Sequence, residues 1–430
     1  MLNQIKTYVL KSKEFKNASW LIAGRIIQML ISFIISIFTT RYLGPSNFGI
    51  INYANAYVAF FTGICTLGIN SVIVKDFIDN PDEQGKTIGT TLGLRAVVSI
   101  LSGVMIVALV SIIDHGERET MIIAALCSTS LIFQVCDTIN YWFQSKYLSK
   151  ITAIATLIAY IVISIYKIIL LILKKNVFWF AASSAVDYIV IAIVLIISYK
   201  KYNGPKLSFS WKKGKILLQK SYHYILSGMM VAIYGYTDKL MLKHMLDETS
   251  VGYYSLATTI SGIWVFVLSA IIDSMTPAII SLHKSNYKLF EKKNRQLYAI
   301  IIYVSFFVSV MFIFFGEFVI SVIYGNDYLP AAEPLKIVTW YTAFSYLGVA
   351  KNAWIICENK QRYLKYTNCM SAVVNIVLNL IMIPYWGISG AAFASLITQI
   401  ITNLIFPYFF KDMRPNVKLM VQALLLIGIK

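Results

Sequence analysis

TTRYLGPSNFGIINYANA, residues 39–56, recurs in a degraded copy, TDKLMLKHMLDETSVGYYSLAT, at residues 237–258. In both copies an apolar run ends in a basic residue, Arg41 or Lys239, and a short polar loop follows. An aromatic or apolar residue plus glycine, Phe48-Gly49 or Val251-Gly252, then opens the next apolar run. The two glycines lie 203 positions apart (252 − 49). An internal repeat of this length predicts two similar halves, and a membrane carrier built that way is expected to place its site between them.

The class follows from composition. Of 430 residues, 58% are hydrophobic and 13% charged, with a mean hydropathy of +0.69 and a formal net charge of +18. An ordinary soluble domain is about half apolar and about a quarter charged. The chain is therefore an all-α polytopic membrane protein, in which the bilayer takes the place of an aqueous surround. The basic residues fall between apolar runs and not along one polar face, so nucleic acid is excluded as a partner and membrane lipids are expected. Five cysteines, Cys65, Cys127, Cys136, Cys357 and Cys369, lie in or at the ends of apolar runs without metal-ligand spacing and read as buried free thiols. The apolar run near the N-terminus is span-length, carries Arg25 and lacks a small-residue cleavage site, so it reads as a first span and not a cleaved signal.

Windows of about 20 apolar residues predict membrane helices. Twelve are expected: 19–40, 48–70, 88–113, 120–143, 152–173, 177–198, 220–239, 251–273, 297–323, 333–357, 366–386 and 388–410. The run 417–429 is too short for another span and is expected at the surface. With the N-terminus inside, 26 Lys and Arg fall in cytoplasmic segments and seven in outer loops, so both termini are expected in the cytoplasm. The halves are then residues 1–200 and 220–430, joined by a basic connector at 201–219. Six spans per half place both halves the same way up, as a parallel repeat.

Polar residues recur at spacings of three and four in the first two spans of each half, and so share helix faces. Span one has Arg25, Gln28, Ser32, Ser36 and Thr39; span two has Asn52, Asn55, Thr62, Thr66 and Asn70. Small and hydroxylated residues at such spacing also pack helices together in lipid, but a charge and large amides there demand water or a partner. Four basic residues lie within spans: Arg25, Arg95, Lys167 and Lys351. They either snorkel to the interface or line a basic cavity that captures an anionic group such as pyrophosphate. The intramembrane acids Asp137, Asp187, Asp238 and Asp273 pair with these bases, or couple transport to a proton or a sodium ion. No P-loop, zinc or two-metal spacing occurs, and the histidines are scattered, so neither an enzyme nor a bound cofactor is expected.

RYLGPSNFGIINYANA, the copy at 237–258 and GISGAAFASLITQII at 387–401 resemble the polysaccharide-transporter family. This family includes the O-antigen (Wzx-type) flippases of the multidrug/oligosaccharidyl-lipid/polysaccharide (MOP) superfamily. The resemblance implies two six-helix lobes and alternating access. The implied cargo is an undecaprenyl-pyrophosphate-linked oligosaccharide, moved from the cytoplasmic to the periplasmic face of a bacterial inner membrane, with other polysaccharide-assembly proteins as partners. It carries over a charged-cavity role to Arg25 on the span-one face, and to Arg41 and Asp238 at the repeat, Asp238 as a coupling or charge-pairing residue. A saccharide head needs a polar path through hydrocarbon, and a diphosphate needs positive charge, for which Arg95, Lys167, Lys351, Asn52 and Asn55 are further candidates. Rival expectations are an ion-coupled exporter of small amphipathic compounds on the same fold, and a membrane-embedded polysaccharide polymerase or ligase. The exporter would favour an acid-dominated cavity, and the enzyme a large outer loop.

Overall fold

Glycine decides where the long helices break. The computed structural model describes residues 13–428, with side chains from Ile31 onward apart from Ser71 and Ser227. Its helices are α1 (Lys13–Cys65), α2 (Asn70–Asp79), α3 (Gln84–Ile113), α4 (Arg118–Gln134), α5 (Asp137–Ser145), α6 (Ser149–Ile172), α7 (Val177–Ala181) and α8 (Ser183–Lys201). They continue as α9 (Trp211–Met245), α10 (Glu248–Ile263), α11 (Val265–Ser285), α12 (Tyr287–Ile323), α13 (Ala332–Cys357), α14 (Arg362–Ile400), α15 (Phe406–Tyr408) and α16 (Arg414–Leu424). No strand occurs among the described residues. The all-α fold expected from composition is the fold found.

Within α1, Gly44 takes φ 70° and ψ 170°, a conformation open to glycine but costly to other residues, and Pro45 restarts the helix. Within α14, Gly387 does the same with φ 55° and ψ −131°, three residues after Pro384. Expected span one and most of span two thus lie in α1, and span eleven and the first part of span twelve in α14, span twelve continuing through the turn 401–405 into α15. Eight helical segments among the described residues are long and apolar enough to cross a membrane: Ile31–Cys65, Pro81–Ile113, Arg118–Ser145, Ser149–Ile172, Val177–Lys201, Glu248–Ser285, Tyr287–Ile323 and Arg362–Tyr408. Helices α9 and α13, which contain expected spans seven and ten, lie outside that set, because Lys, Tyr, Ser and Thr interrupt their apolar runs.

The chain forms two compact units. The first comprises the chain up to Leu43 together with Ala54–Met229; the second comprises Gly44–Tyr53 and the chain from Met230 onward. In the first unit α3 packs on α4, and α8 on both α4 and α6. Its core includes Ile69, Phe77, Ile88, Phe143 and Leu195. In the second unit α13 lies between α12 and α14, with Phe290, Leu297, Tyr298, Leu347 and Trp354 buried. The short α16 lies against α12 and buries Val417, Leu419 and Met420, so the C-terminal run is at the surface on one face only. All five cysteines are free thiols; Cys65 and Cys127 are buried, whereas Cys369 is exposed.

The basic connector is strapped down within the first unit. Gly85, Gly89 and Gly93 share one face of α3 at four-residue steps, leaving a groove. A Cβ on Gly85 would meet the Lys206 carbonyl oxygen at 2.2 Å, and one on Gly89 would meet that of Ser208 at 2.5 Å. The Ser210 N–H donates to Thr90 Oγ1 at 2.9 Å. Lys213 then reaches Asp76 at 3.0 Å and Glu83 at 3.1 Å. Burial alone would lower the Lys213 ammonium, but its bonds to the two carboxylates outweigh this and hold it above its ordinary value.

The repeated motif meets its own copy inside the second unit. A Cβ on Gly49 would lie 1.8 Å from the Glu248 carbonyl oxygen, and one on Gly252 would lie 2.1 Å from that of Pro45. Pro45 and Glu248 are separated by the same 203 positions (248 − 45) as the two glycines, so the contact is reciprocal. Each glycine lets the partner helix's first-turn carbonyl approach its Cα, the geometry of a Cα–H···O contact. Asp247 caps α10 by accepting from the Ser250 N–H at 2.7 Å, and Tyr53 meets His244 at 3.0 Å beside the crossing. Gly49→Ala or Gly252→Ala should therefore each cost about 1–3 kcal/mol by overpacking. Melting of the purified protein should show this as a drop of several degrees. Gly262→Ala, with nothing within 4 Å of the new methyl, should leave melting unchanged or raise it.

Candidate functional site

The sequence-derived candidates separate into three groups. In the first unit, Arg95 of α3 is 1% exposed, and its donors are committed. Nε donates to the Cys65 carbonyl oxygen at 3.3 Å, Nη2 to that of Gln134 at 3.2 Å, and Nη1 to Thr138 Oγ1 at 3.0 Å. Cys65 ends α1 and Gln134 ends α4, so the guanidinium closes two helix C-termini that would otherwise leave carbonyls unpaired in the bundle. The Thr138 hydroxyl in turn donates to the Val135 carbonyl at 2.9 Å across the α4–α5 break.

Asp137, the first residue of α5, interacts electrostatically with Arg95 and with Asp187 of α8; Asp187 interacts with Lys167 of α6. These two bases and two acids form a chain in the order base, acid, acid, base, with each base beside one acid and the two acids adjacent. Asp187 Oδ1 is buried with no hydrogen-bond partner. Arg41 is exposed and Asn55 partly buried in the same unit. Arg25 lies in α1, but its side chain falls outside the described residues.

In the second unit Asp238 of α9 is 4% exposed and receives four side-chain donors. Asn375 and Asn379 of α14 donate to Oδ1 at 3.0 and 2.6 Å, and Tyr254 and Ser395 donate their hydroxyls to Oδ2. Asn379 Oδ1 is a buried acceptor with no partner. Asp273, on α11, is exposed and outside this network. Among the described residues no group of three or more His, Cys, Asp or Glu could hold a metal ion. The groups around Asp238 present two amide N–H and two hydroxyl donors to it, a surround that stabilises its charged form.

Asp238 also borders a cavity of about 440 Å³ between α9, α10, α13 and α14. Lys239, Thr258, Ser261, Thr342 and five tyrosines line it. The Lys239 ammonium donates to Asn52 Oδ1 at 3.2 Å, while the Asn52 amide N–H donates to the Phe48 carbonyl at 2.9 Å. Lys351 stands apart: 3% exposed, it donates to Asn403 Oδ1 at 2.7 Å, and Asn403 donates to Gln399 Oε1 at 2.7 Å. Asn403 lies in a π-helical turn, Ile401–Ile405, a kind of distortion that often marks functional positions. Asn375, Asn379, Tyr254, Asn403 and Gln399 were not candidates from sequence. The i,i+4 spacing of Asn375 and Asn379 within an apolar run was the available signal.

Arg95→Met should strand both helix-end carbonyls and cost about 3 kcal/mol or more, so the variant should be poorly abundant in membranes and melt early. A variant of normal stability with lost transport would instead put Arg95 in the substrate path.

Comparison with known proteins agrees with this architecture. Residues 15–283 match the model of a family described as "Polysaccharide biosynthesis protein". The capsular polysaccharide biosynthesis protein CapF of Staphylococcus aureus is 22% identical over 92% of this chain and 99% of its own length. A putative O-antigen transporter of Shigella flexneri is 20% identical over 93% and 98%. Among solved structures, the inward closed form of the lipid II flippase MurJ superposes with a TM-score of 0.70 at 15% identity, covering 94% of this chain and 91% of that one. An inward-facing MATE multidrug transporter of the MOP superfamily superposes with a TM-score of 0.69 at 14% identity, covering 92% and 98%. The chain has the MOP transporter fold and belongs to the polysaccharide biosynthesis protein family.

Proposed function

We propose that this protein is a flippase for lipid-linked oligosaccharide in the assembly of a surface polysaccharide. The observation that carries the reading is end-to-end similarity to a capsular polysaccharide biosynthesis protein and a putative O-antigen transporter, over more than nine-tenths of each chain. The cargo would be an undecaprenyl-pyrophosphate-linked repeat unit, taken from the cytoplasmic face of a bacterial inner membrane and released on the periplasmic face. The halves 1–200 and 220–430, joined by 201–219, would work by alternating access, with both termini in the cytoplasm.

Physical reasons support this assignment. Saccharide hydroxyls need hydrogen-bond partners at membrane depth, and the Asp238 cavity is lined with them. The anionic head needs positive charge, for which Arg25, Arg41, Lys239 and Lys351 are the candidates; Arg95 and Lys167 are engaged with partners in the first unit. Asp238 is the candidate coupling acid, because proton or sodium binding would rearrange the four donors that converge on it.

The test is depletion of the protein in its host, followed by a leaflet assay of lipid-linked oligosaccharide. Completed units should accumulate on the cytoplasmic face and surface polysaccharide should fall, with rescue by the wild-type gene. Unpolymerised units on the outer face would indicate a polymerase. Normal polysaccharide with altered drug tolerance would indicate an exporter.

A further inference from the structure

Lys239 is the charged group of the second unit's cavity whose bonding is least complete. An ammonium has three donors, and here one reaches a protein acceptor, Asn52 Oδ1 at 3.2 Å. The neighbouring carboxylate does not take the other two. Asp238 precedes Lys239 on the helix, so the two side chains leave it about 100° apart, and both Asp238 oxygens are already filled by amide and hydroxyl donors. Asp238 stabilises the Lys239 charge through space but gives it no hydrogen bond, and an anion in the cavity would supply acceptors for the two open donors. Around it stand Tyr234, Tyr236, Tyr254, Tyr341 and Tyr346. Each presents a flat apolar ring that can lie against the C–H face of a sugar, and a hydroxyl that can bond its edge. At about 440 Å³ the cavity is of small-ligand size and holds one or two hexose rings.

We infer that this cavity is a glycan subsite selective for an anionic group, with Lys239 as the residue that receives the carboxylate or phosphate and the tyrosines as the surface that holds the attached sugar. The inference rests on the flippase reading and narrows it, since the cargo must carry negative charge within reach of a sugar ring. Two sources supply that chemistry: an acidic sugar of the repeat unit, or the pyrophosphate linkage to the lipid.

Calorimetry on the full-length protein in nanodiscs tests it with three probes: a glucuronate-containing tetrasaccharide, the same tetrasaccharide after carboxyl reduction, and inorganic pyrophosphate. Wild type should bind at least one anionic probe tenfold or more tightly than the neutral one. Preference for the uronate assigns the subsite to an acidic sugar, and preference for pyrophosphate assigns it to the lipid linkage. Lys239→Gln should abolish the preference while Lys239→Arg retains it, both melting near wild type. Tyr341→Phe, which keeps the ring, should weaken the tetrasaccharides and leave pyrophosphate unchanged. Equal binding of all three probes by wild type, or an unchanged preference in Lys239→Gln, overturns the inference. The wild-type comparison stands even if a variant does not fold. The leaflet assay uses the native cargo without reference to Lys239, so the flippase reading can survive when this one fails.

Discussion

A carbonyl released where a helix stops inside the bundle finds no water to bond, and this constraint shapes the described structure more than any single apolar contact. The chain interrupts its helices repeatedly, at Gly44, after Cys65, after Gln134 and at Gly387. The breaks after Cys65 and after Gln134 have a local answer. At Cys65 and Gln134 it is Arg95, whose forked donors span two helix ends at once, which a lysine's single nitrogen could not do with the same geometry. The repeated motif is held differently, by close backbone approach at two helix starts, with Pro45 and Glu248 carbonyls set over the Cα atoms of Gly252 and Gly49. At Leu67 and Gly68 the chain turns with positive φ before α2, and the Ser221 hydroxyl takes up the Leu67 carbonyl at 2.8 Å.

The same constraint sorts the intramembrane charges. In the first unit Arg95 lies beside Asp137 and Lys167 beside Asp187, so each base has an acid to offset its charge away from water. The second unit is organised differently. Its buried acid, Asp238, is stabilised by neutral donors, and its cations Lys239 and Lys351 are stabilised by amide oxygens. Asp238 and Lys239 act on each other through space, but the hydrogen bonds that fix each of them come from neutral groups. A unit built in this way keeps a local field at membrane depth, which a passing ion or anionic head can use.

Much of the fold was legible from sequence because its signals are local. Apolar run length marked the helices, and the repeat was readable because two glycines with the same flanking pattern do the same job in each copy. Span count was less legible, since α9 and α13 mix Tyr, Ser, Thr and Lys into their apolar faces. The site was legible in residue type but not in role. Arg95 looked like a substrate group, and nothing near it in sequence reveals that the carbonyls it takes lie 30 and 39 positions away. Lys239 fell at the end of an apolar run and was counted with the outer loops. Its place on a cavity wall depends on α10 and α13 closing around it, which hydropathy cannot report.

Lys351 shows how far the neutral-partner principle reaches. Its ammonium is almost wholly covered, and the acceptor that holds it, Asn403, is itself fixed by Gln399 and by the Phe344 carbonyl at 3.2 Å. Gly348, one turn before Lys351, admits the Asn403 amide so closely that a Cβ there would lie 2.6 Å from Oδ1. The π turn at Ile401–Ile405 offsets the helix at the residue that must present this amide. Glycine, π turn and amide chain thus converge on one lysine with no carboxylate bonded to it. An ordinary packing lysine would not require such an arrangement, and an apolar residue would fill the same space at lower cost in desolvation. The second unit therefore retains two cations, Lys239 at the cavity and Lys351 on α13, each hydrogen-bonded by an amide oxygen and neither bonded to a carboxylate.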